Sequence, residues 1–183
     1  MSNSNKLFVA VTAGRWQLPA INAAHRLGLQ VCALDGDPTA DGFAIADIST
    51  NIEINDETAV LDFIERQNNQ IVGSLSFASE VGMETMGLIN DFYELNGLSK
   101  IEASLFTDKW AQRKNWESNG LPNPNFLTIK KDRQVDENFI LELNDLGSKI
   151  IVKPRQSSGS RGLTVLNIPY SIESVQRAIE TAV

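Results

Sequence analysis

The residues best suited to chemistry lie late in the chain. Lys153-Pro154-Arg155 follows the β-favouring run Ile150-Ile151-Val152, a small-residue loop follows from Ser157 to Gly162, and a second β-favouring run of residues 163–166 returns. This pattern predicts a strand, a loop and a returning strand. Gly159 and Gly162 permit the backbone angles that turn successive N–H groups toward an anion, while Ser158 and Ser160 add hydroxyl donors. Arg161 adds a fixed cation and Lys153 an ammonium at the mouth of the loop. The chemistry on offer is a phosphate clamp. The same residues also suit an ordinary hairpin turn whose cations face water, because Gly and Ser are common turn residues.

Composition narrows the setting. Sixteen basic against 23 acidic residues give a formal charge of −7, which opposes non-specific attraction to nucleic acid or to an anionic membrane, so any anion site must be local. Residues 1–5 are polar with no apolar stretch, so no targeting signal is expected, and no segment reaches the ~18 apolar residues of a membrane span. The single cysteine, Cys32, sits in an apolar run and reads as a buried thiol, which fits a reducing cytoplasm. With His25 as the only histidine and no cysteine pair, no metal-binding cluster is expected in this chain. His25 itself reads as solvent-exposed on the polar face of a helix.

The elements that must position the clamp come in two blocks. Residues 6–12 form an apolar run, and Leu18, Ile21, Ala24 and Leu27 follow at helical spacing, with Pro19 tolerated in the first turn. Gly28 stops that helix and a second strand ends at Asp35, so the unit is βαβ with parallel strands. A third strand is predicted over residues 51–54, a helix carries Val60, Leu61 and Ile64, and residues 71–75 form a buried strand. A helix with Met83, Met86, Ile89 and Tyr93 closes the block, which reads as a doubly wound α/β domain over residues 1–97.

Ligands in such sheets collect at the carboxyl ends of the strands, where Gly14, Gln17, Asp35 and Glu80 would lie. Each of these could contact a substrate or merely tie down a loop. Gly14 and Asp35 have about the spacing of a dinucleotide fingerprint, but Trp16 and Pro19 stand where its further glycines belong, which disfavours a nicotinamide site.

The second block covers residues 98–183, with the boundary placed between Asn96 and Thr107. Short helices are predicted over residues 99–105 and from Asp108 to Gly120, then a proline-marked connection at Pro122 and Pro124 and a strand over residues 126–129. Phe139, Ile140, Leu143 and Leu146 make a helical face, the clamp hairpin follows, and a last helix runs from Ser171. Trp110 and Trp116 are expected to pack in a core, and Arg155 to lie at the surface.

Asp108-Lys109, the Gly120-Leu121-Pro122-Asn123-Pro124 connection and the clamp hairpin, in that order, resemble the ATP-grasp superfamily. The stretch from Gly14 to Ile21 together with Asp35-Gly36-Asp37-Pro38 looks like the pre-ATP-grasp domain of its carboxylate-amine ligases, in the pattern of the carbamoyl-phosphate-synthetase-like and biotin-carboxylase-like members. The resemblance covers nearly the whole chain from Lys6. It implies a Rossmann-like pre-ATP-grasp domain followed by the α+β first part of an ATP-grasp domain. It also implies that Lys109 and Lys153 flank ATP, that the loop containing Ser158, Gly159, Ser160, Arg161 and Gly162 closes over the triphosphate, and that the reaction joins a carboxylate to an amine through an acyl-phosphate.

The family's Mg²⁺ ligands and adenine-pinning segment lie downstream of the hairpin, so the resemblance implies that these 183 residues are a truncated ATP-grasp domain and not by themselves a competent ligase. A non-catalytic ligand-binding or interaction module built on the same fold is the alternative. An incomplete domain should expose apolar surface and favour a homo-oligomer.

Overall fold

The computed structural model describes residues 5–182. The chain divides into two units that meet at Thr107 and Asp108.

The first unit is built on a parallel sheet of β1 (Lys6–Val11), β2 (Gln30–Asp35), β3 (Ile48–Asn51) and β4 (Gln70–Leu75), in the order β3-β2-β1-β4. The register of the central pair runs from Leu7 opposite Gln30 to Val11 opposite Leu34. A strand buried on both faces must be apolar throughout, which is why β1 and β2 read as continuous hydrophobic runs. Alternate residues then sort to opposite faces. Ala10 and Val31 pack with Ile21 and Ala24 of α1 (Leu18–Arg26). Leu7, Val9, Val11, Cys32 and Leu34 pack with Val60 and Ile64 of α2 (Glu57–Glu65) and with Met86 and Ile89 of α3 (Met83–Phe92). Helices therefore cover both faces, and the unit is the expected doubly wound α/β sheet. From β1 the chain moves outward to β2 and β3, then returns to place β4 on the other side of β1. The topology reverses between β1 and β4.

The third strand departs from expectation. It occupies Ile48–Asn51, upstream of residues 51–54, because Cys32 to Asp35 pair with Ile48 to Asn51, and the chain then turns at Glu53. Ile54 is still buried, but as a core side chain entering α2, whose N-cap Asp56 accepts from the Ala59 N–H at 3.1 Å. The helix expected at 99–105 is α4 (Lys100–Thr107), which packs on α3 within the first unit; a Cβ on Gly87 would stand 2.7 Å from the Lys100 backbone.

The second unit contains α5 (Lys109–Ser118), α6 (Glu137–Leu146), the antiparallel pair β5 (Lys149–Val152) and β6 (Thr164–Asn167), and α7 (Ile172–Thr181). Val135, Phe139, Leu143, Ile150, Tyr170, Val175 and Ile179 form its core, so α6 and α7 cover one face of the hairpin. Residues 126–129 are not a strand: Leu127 and Ile129 pack against this core without a ladder partner among the described residues. Trp110 and Trp116 are not core residues either. No residue of α5 is fully buried, and the two indoles instead lie under the Arg155 and Arg113 guanidinium groups at 5.0 and 4.8 Å. A guanidinium over an indole face keeps its charge in water while covering apolar surface.

Candidate functional site

In the second unit the site is assembled at the start of α5. Asp108 caps that helix, accepting from the Trp110 and Ala111 N–H groups at 2.9 and 3.1 Å. Its carboxylate also receives the Arg155 guanidinium, with Nε at 2.7 Å from both oxygens and a further contact from Nη2 to Oδ2. The Lys109 N–H donates to the Arg155 carbonyl at 3.1 Å. These bonds lock the helix start to the end of β5. The Arg155 hydrogen bond, chiefly, holds the Asp108 carboxyl below the usual carboxylate range against the cost of burial. Arg155 lies at the surface, as expected, and there serves as a structural latch.

The latch sets three cations together. Lys109 Nζ donates to the Ser157 carbonyl at 2.6 Å, which ties α5 to the clamp loop. Lys153, although exposed as a whole residue, has its pKa lowered, first by partial desolvation of the ammonium and then by the like charges of Arg113 and Lys109. Arg113 lies one helical turn beyond Lys109 and so shares its face. It is held by Asn123, whose Oδ1 accepts from Nη1 at 3.1 Å and whose Nδ2 donates to the Arg113 carbonyl at 2.9 Å. Like charges are gathered here at the cost of lowering one of their own pKa values, an arrangement that an anion would relieve.

The loop from 153 to 163 is a compact turn. Gly159, Ser160 and Gly162 have φ of 64, 59 and 71°. At Gly159 the requirement is conformational alone, since nothing lies within 4 Å of a built Cβ. At Gly162 a Cβ would also meet Pro154 Cγ at 2.8 Å and the Thr181 carbonyl at 2.9 Å. Arg161 turns onto its own loop, donating from Nε to the Ser158 carbonyl at 3.2 Å and from Nη2 to Ser158 Oγ at 3.0 Å. The structure therefore brings Lys109, Lys153 and the loop of Ser158, Gly159, Ser160, Arg161 and Gly162 into one neighbourhood, and adds Arg113, which sequence reasoning missed. Its signal was present as the Lys109–Arg113 spacing of four.

The outward face of the hairpin was missed as well. Ile151 and Val165 are paired across β5 and β6, and are 56% and 43% exposed. Ile151 and Val165 thus present apolar surface on the outward face of the hairpin, whose strand β5 ends one residue before Lys153. A groove lined by Glu117, Leu121, Asn123 and Phe126 lies along the connection after α5 and carries no lysine or arginine.

In the first unit the rim residues serve mainly as scaffolding. Asp35 Oδ2 accepts from the Ala13 N–H at 2.7 Å and Oδ1 from the Asp37 N–H at 2.8 Å. Buried Gln17 donates from Nε2 to the Phe77 carbonyl at 2.5 Å, joining the loops that leave β1 and β4. Gly14 accepts from the Gln17 N–H at 3.0 Å, and Glu80 is exposed. His25 is not free in solvent: Nε2 lies 2.9 Å from Asp47 Oδ2, which also accepts from the Val31 N–H at 2.8 Å. Cys32 is buried in the sheet, and burial pushes its thiol up to about 12.

Solved structures share this arrangement of elements. N5-carboxyaminoimidazole synthetase from Staphylococcus aureus, solved with ADP, matches 97% of this chain and 45% of its own with a TM-score of 0.75 at 17% identity. The biotin carboxylase domain of the Hydrogenobacter thermophilus 2-oxoglutarate carboxylase, a dimer solved with MgADP, ADP and bicarbonate, matches 97% of this chain and 40% of its own with a TM-score of 0.67 at 19% identity.

The chain has the fold of the N-terminal part of an ATP-grasp ligase.

In sequence, the D-alanine–D-alanine ligase of Ralstonia pickettii is 27% identical over 124 residues, which are 65% of this chain and 36% of that protein. No family model matches the chain. The chain spans less than half the length of these ATP-grasp relatives. Among the described residues, no group of three or more His, Cys, Asp or Glu side chains could hold a metal ion, and no helix is long and apolar enough to cross a membrane.

Proposed function

We propose that this chain binds ATP beside the β5–β6 hairpin, as the N-terminal part of an ATP-dependent ligase that joins a carboxylate to an amine or similar nucleophile. The first unit, with α4 as its last helix, is in this reading the pre-ATP-grasp domain, and the second is the opening part of the ATP-grasp domain. The observation that carries the proposal is the convergence of Lys109, Arg113 and Lys153 beside a loop with three left-handed residues, in a chain of net charge −7. A triphosphate supplies the charge this cluster lacks, and N–H groups of the loop at Ser158, Gly159, Ser160 and Gly162 supply further donors. The apolar face at Ile151 and Val165 suits the base next to those phosphates.

In the proposed reaction a carboxylate oxygen attacks the γ-phosphorus of ATP as the bond to ADP breaks. The amine then displaces phosphate from the acyl-phosphate, forming the amide and releasing a proton. Catalysis of such a transfer is chiefly positioning and charge neutralisation, which a pre-set cation cluster provides. Mg²⁺ accompanies ADP in the Hydrogenobacter protein, but the described residues of this chain offer no group of three or more His, Cys, Asp or Glu side chains to hold it. The dimer in that structure supports a homo-oligomer, and the single buried thiol supports a cytoplasmic setting.

Calorimetric titration with ATP, with and without Mg²⁺, tests the reading. Lys153→Ala and Gly159→Pro are each expected to weaken binding about tenfold or more, the second because proline cannot adopt φ of 64°. A folded chain that does not bind ATP, or binding indifferent to both substitutions, refutes it.

A further inference from the structure

An Asn or Asp precedes Gly at residues 35, 41, 96 and 119. In such a pair the Gly nitrogen, with no Cβ beside it, can reach the side-chain carbonyl of the residue before it and close a five-membered ring. Hydrogen bonds on either group oppose that closure. At Asp35 both carboxylate oxygens are engaged, by the Ala13 and Asp37 N–H groups at 2.7 and 2.8 Å. After Asp41, the Gly42 N–H donates to the Ala13 carbonyl at 2.6 Å. Asn119 donates from Nδ2 to the Asn115 carbonyl at 2.7 Å, and the Gly120 N–H donates to the Glu117 carbonyl at 3.2 Å.

Asn96 and Gly97 differ. Both are exposed in a bend between α3 and α4, and among the described residues neither the Asn96 side chain nor the Gly97 N–H has a hydrogen-bond partner. The bend is anchored at its flanks by one residue. The Leu95 N–H donates to the Asn90 carbonyl at 2.8 Å, and Asn90 Nδ2 donates to the Leu98 carbonyl at 2.9 Å. Asn90 is buried, and its Oδ1 accepts from Ser74 Oγ of β4 at 2.7 Å. The same packing requires glycine at 97, where a Cβ would stand 2.5 Å from Asn90 Nδ2. A fixed frame therefore carries a free Asn-Gly pair at its apex.

We infer that Asn96-Gly97 is a site of modification by water, at which Asn96 is converted to a mixture of aspartate and isoaspartate. The Gly97 nitrogen loses its proton to hydroxide and attacks Asn96 Cγ. The Cγ–Nδ2 bond breaks, and ammonia leaves with a proton taken from solvent, which closes a succinimide. Water then opens the ring. Cleavage between Cγ and the Gly97 nitrogen leaves aspartate in an ordinary backbone, and cleavage between the backbone carbonyl carbon and that nitrogen leaves isoaspartate, whose chain runs through Cβ and Cγ. The sum converts an amide and a water to a carboxylate and an ammonium ion. Isoaspartate also lengthens the backbone between Leu95 and Leu98, the two points that Asn90 holds, so it strains this clamp where aspartate does not. The inference stands on the first unit and is independent of the ligase reading.

The test follows ammonia loss in mildly alkaline buffer, from the native chain and from the chain in urea, by mass spectrometry of the tryptic peptides 67–100 and 115–130. Both asparagines precede Gly, so in urea their rates are expected to agree within about threefold, whereas in the native chain Asn96 is expected to react about tenfold faster than Asn119, whose hydrogen bonds must open first. Asn96→Gln, which would need a larger ring, is expected to keep native circular dichroism and to abolish the reaction in peptide 67–100. Chains carrying isoaspartate, separated by ion exchange, are expected to unfold at lower urea than Asn96→Asp, and equal midpoints would remove the strain from the clamp. The inference is overturned if Asn96 does not react in the native chain, if its native rate exceeds that of Asn119 by less than about threefold, if the ratio is as large in urea, or if ammonia loss in peptide 67–100 survives Asn96→Gln.

Discussion

Gly42→Ala probes the packing that holds the rim loop. A Cβ at this position would stand 2.6 Å from the Ala13 carbonyl oxygen, 2.8 Å from Ile21 Cδ1 and 3.1 Å from Ala13 Cβ. None of these can move cheaply. The Ala13 amide is held at its N–H by Asp35 and at its carbonyl by Gly42 itself, and Ile21 is fully buried against the sheet. Overpacking of this kind costs about 1–3 kcal/mol. Loss of the Gly42 to Ala13 hydrogen bond adds about 1 kcal/mol. Because Gly42 is not left-handed, alanine recovers about 0.4–1 kcal/mol from the unfolded state. The net expectation is a destabilisation of about 2 kcal/mol, which at a urea slope of about 2 kcal/mol/M lowers the midpoint by roughly 1 M. Gly36→Ala is the control, since its Cβ meets nothing closer than 3.8 Å and the same entropy gain leaves it neutral or slightly stabilised. Urea unfolding by circular dichroism, with Trp16 fluorescence in a variant lacking the other two tryptophans, reads the first unit. A Gly42→Ala midpoint equal to that of Gly36→Ala refutes the packing argument.

Asp108 has a folded pKa below its unfolded value of about 3.9, so its contribution to stability is present above that value and is lost as pH falls through the lower folded one. Asp108→Asn is expected to flatten the fall in stability between pH 5 and 2, roughly the carboxylate range, as measured by urea unfolding at stepped pH; an unchanged slope counts against the latch. The direct coupling to Arg155 in a double-mutant cycle should be about 1 kcal/mol or less, because the guanidinium is 59% exposed. Removing the like charge in Arg113→Gln is expected to raise the Lys153 pKa, read by NMR titration of the lysine ammonium, and to weaken ATP binding; no change in that pKa would separate the two cations. Cys32 in the native chain is expected not to react with a thiol reagent at pH 8, since its pKa is about 12 and it is buried, and to react fully in urea. Prompt native labelling would contradict its place in the sheet.

Much of this architecture is local enough to read along the chain. The apolar runs of β1, β2 and β4 and the helical spacing of Ile21 with Ala24 and of Met86 with Ile89 follow from burial of one face or both, and each sorted to the face its periodicity implied. Asp108 before Lys109 is a helix start because a short carboxylate satisfies free N–H groups. The third strand was displaced because Ile52 and Ile54 are apolar enough for either a strand or a core-facing turn, and only pairing with β2 selected Ile48–Asn51. Residues 126–129 have strand composition, but no neighbour among the described residues offers a ladder.

The clamp shows the same division. Lys153, Gly159 and Gly162 stand out by type and spacing, because the proposed phosphate site would need cations and left-handed backbone close together in the chain. What tertiary structure alone decided is pairing at a distance. Asp108 and Arg155 are 47 residues apart, Gln17 and Phe77 60 apart, and Asp35 and Ala13 22 apart, and no local pattern names such partners. Those contacts turned Asp35 and Gln17 into scaffold and Arg155 into a latch, and gathered Arg113 with the two lysines. Sequence determined which segments must be strand, helix or turn, since propensity and periodicity act within a few residues. The fold decided which polar groups are already satisfied, because their partners lie tens of residues away in the chain.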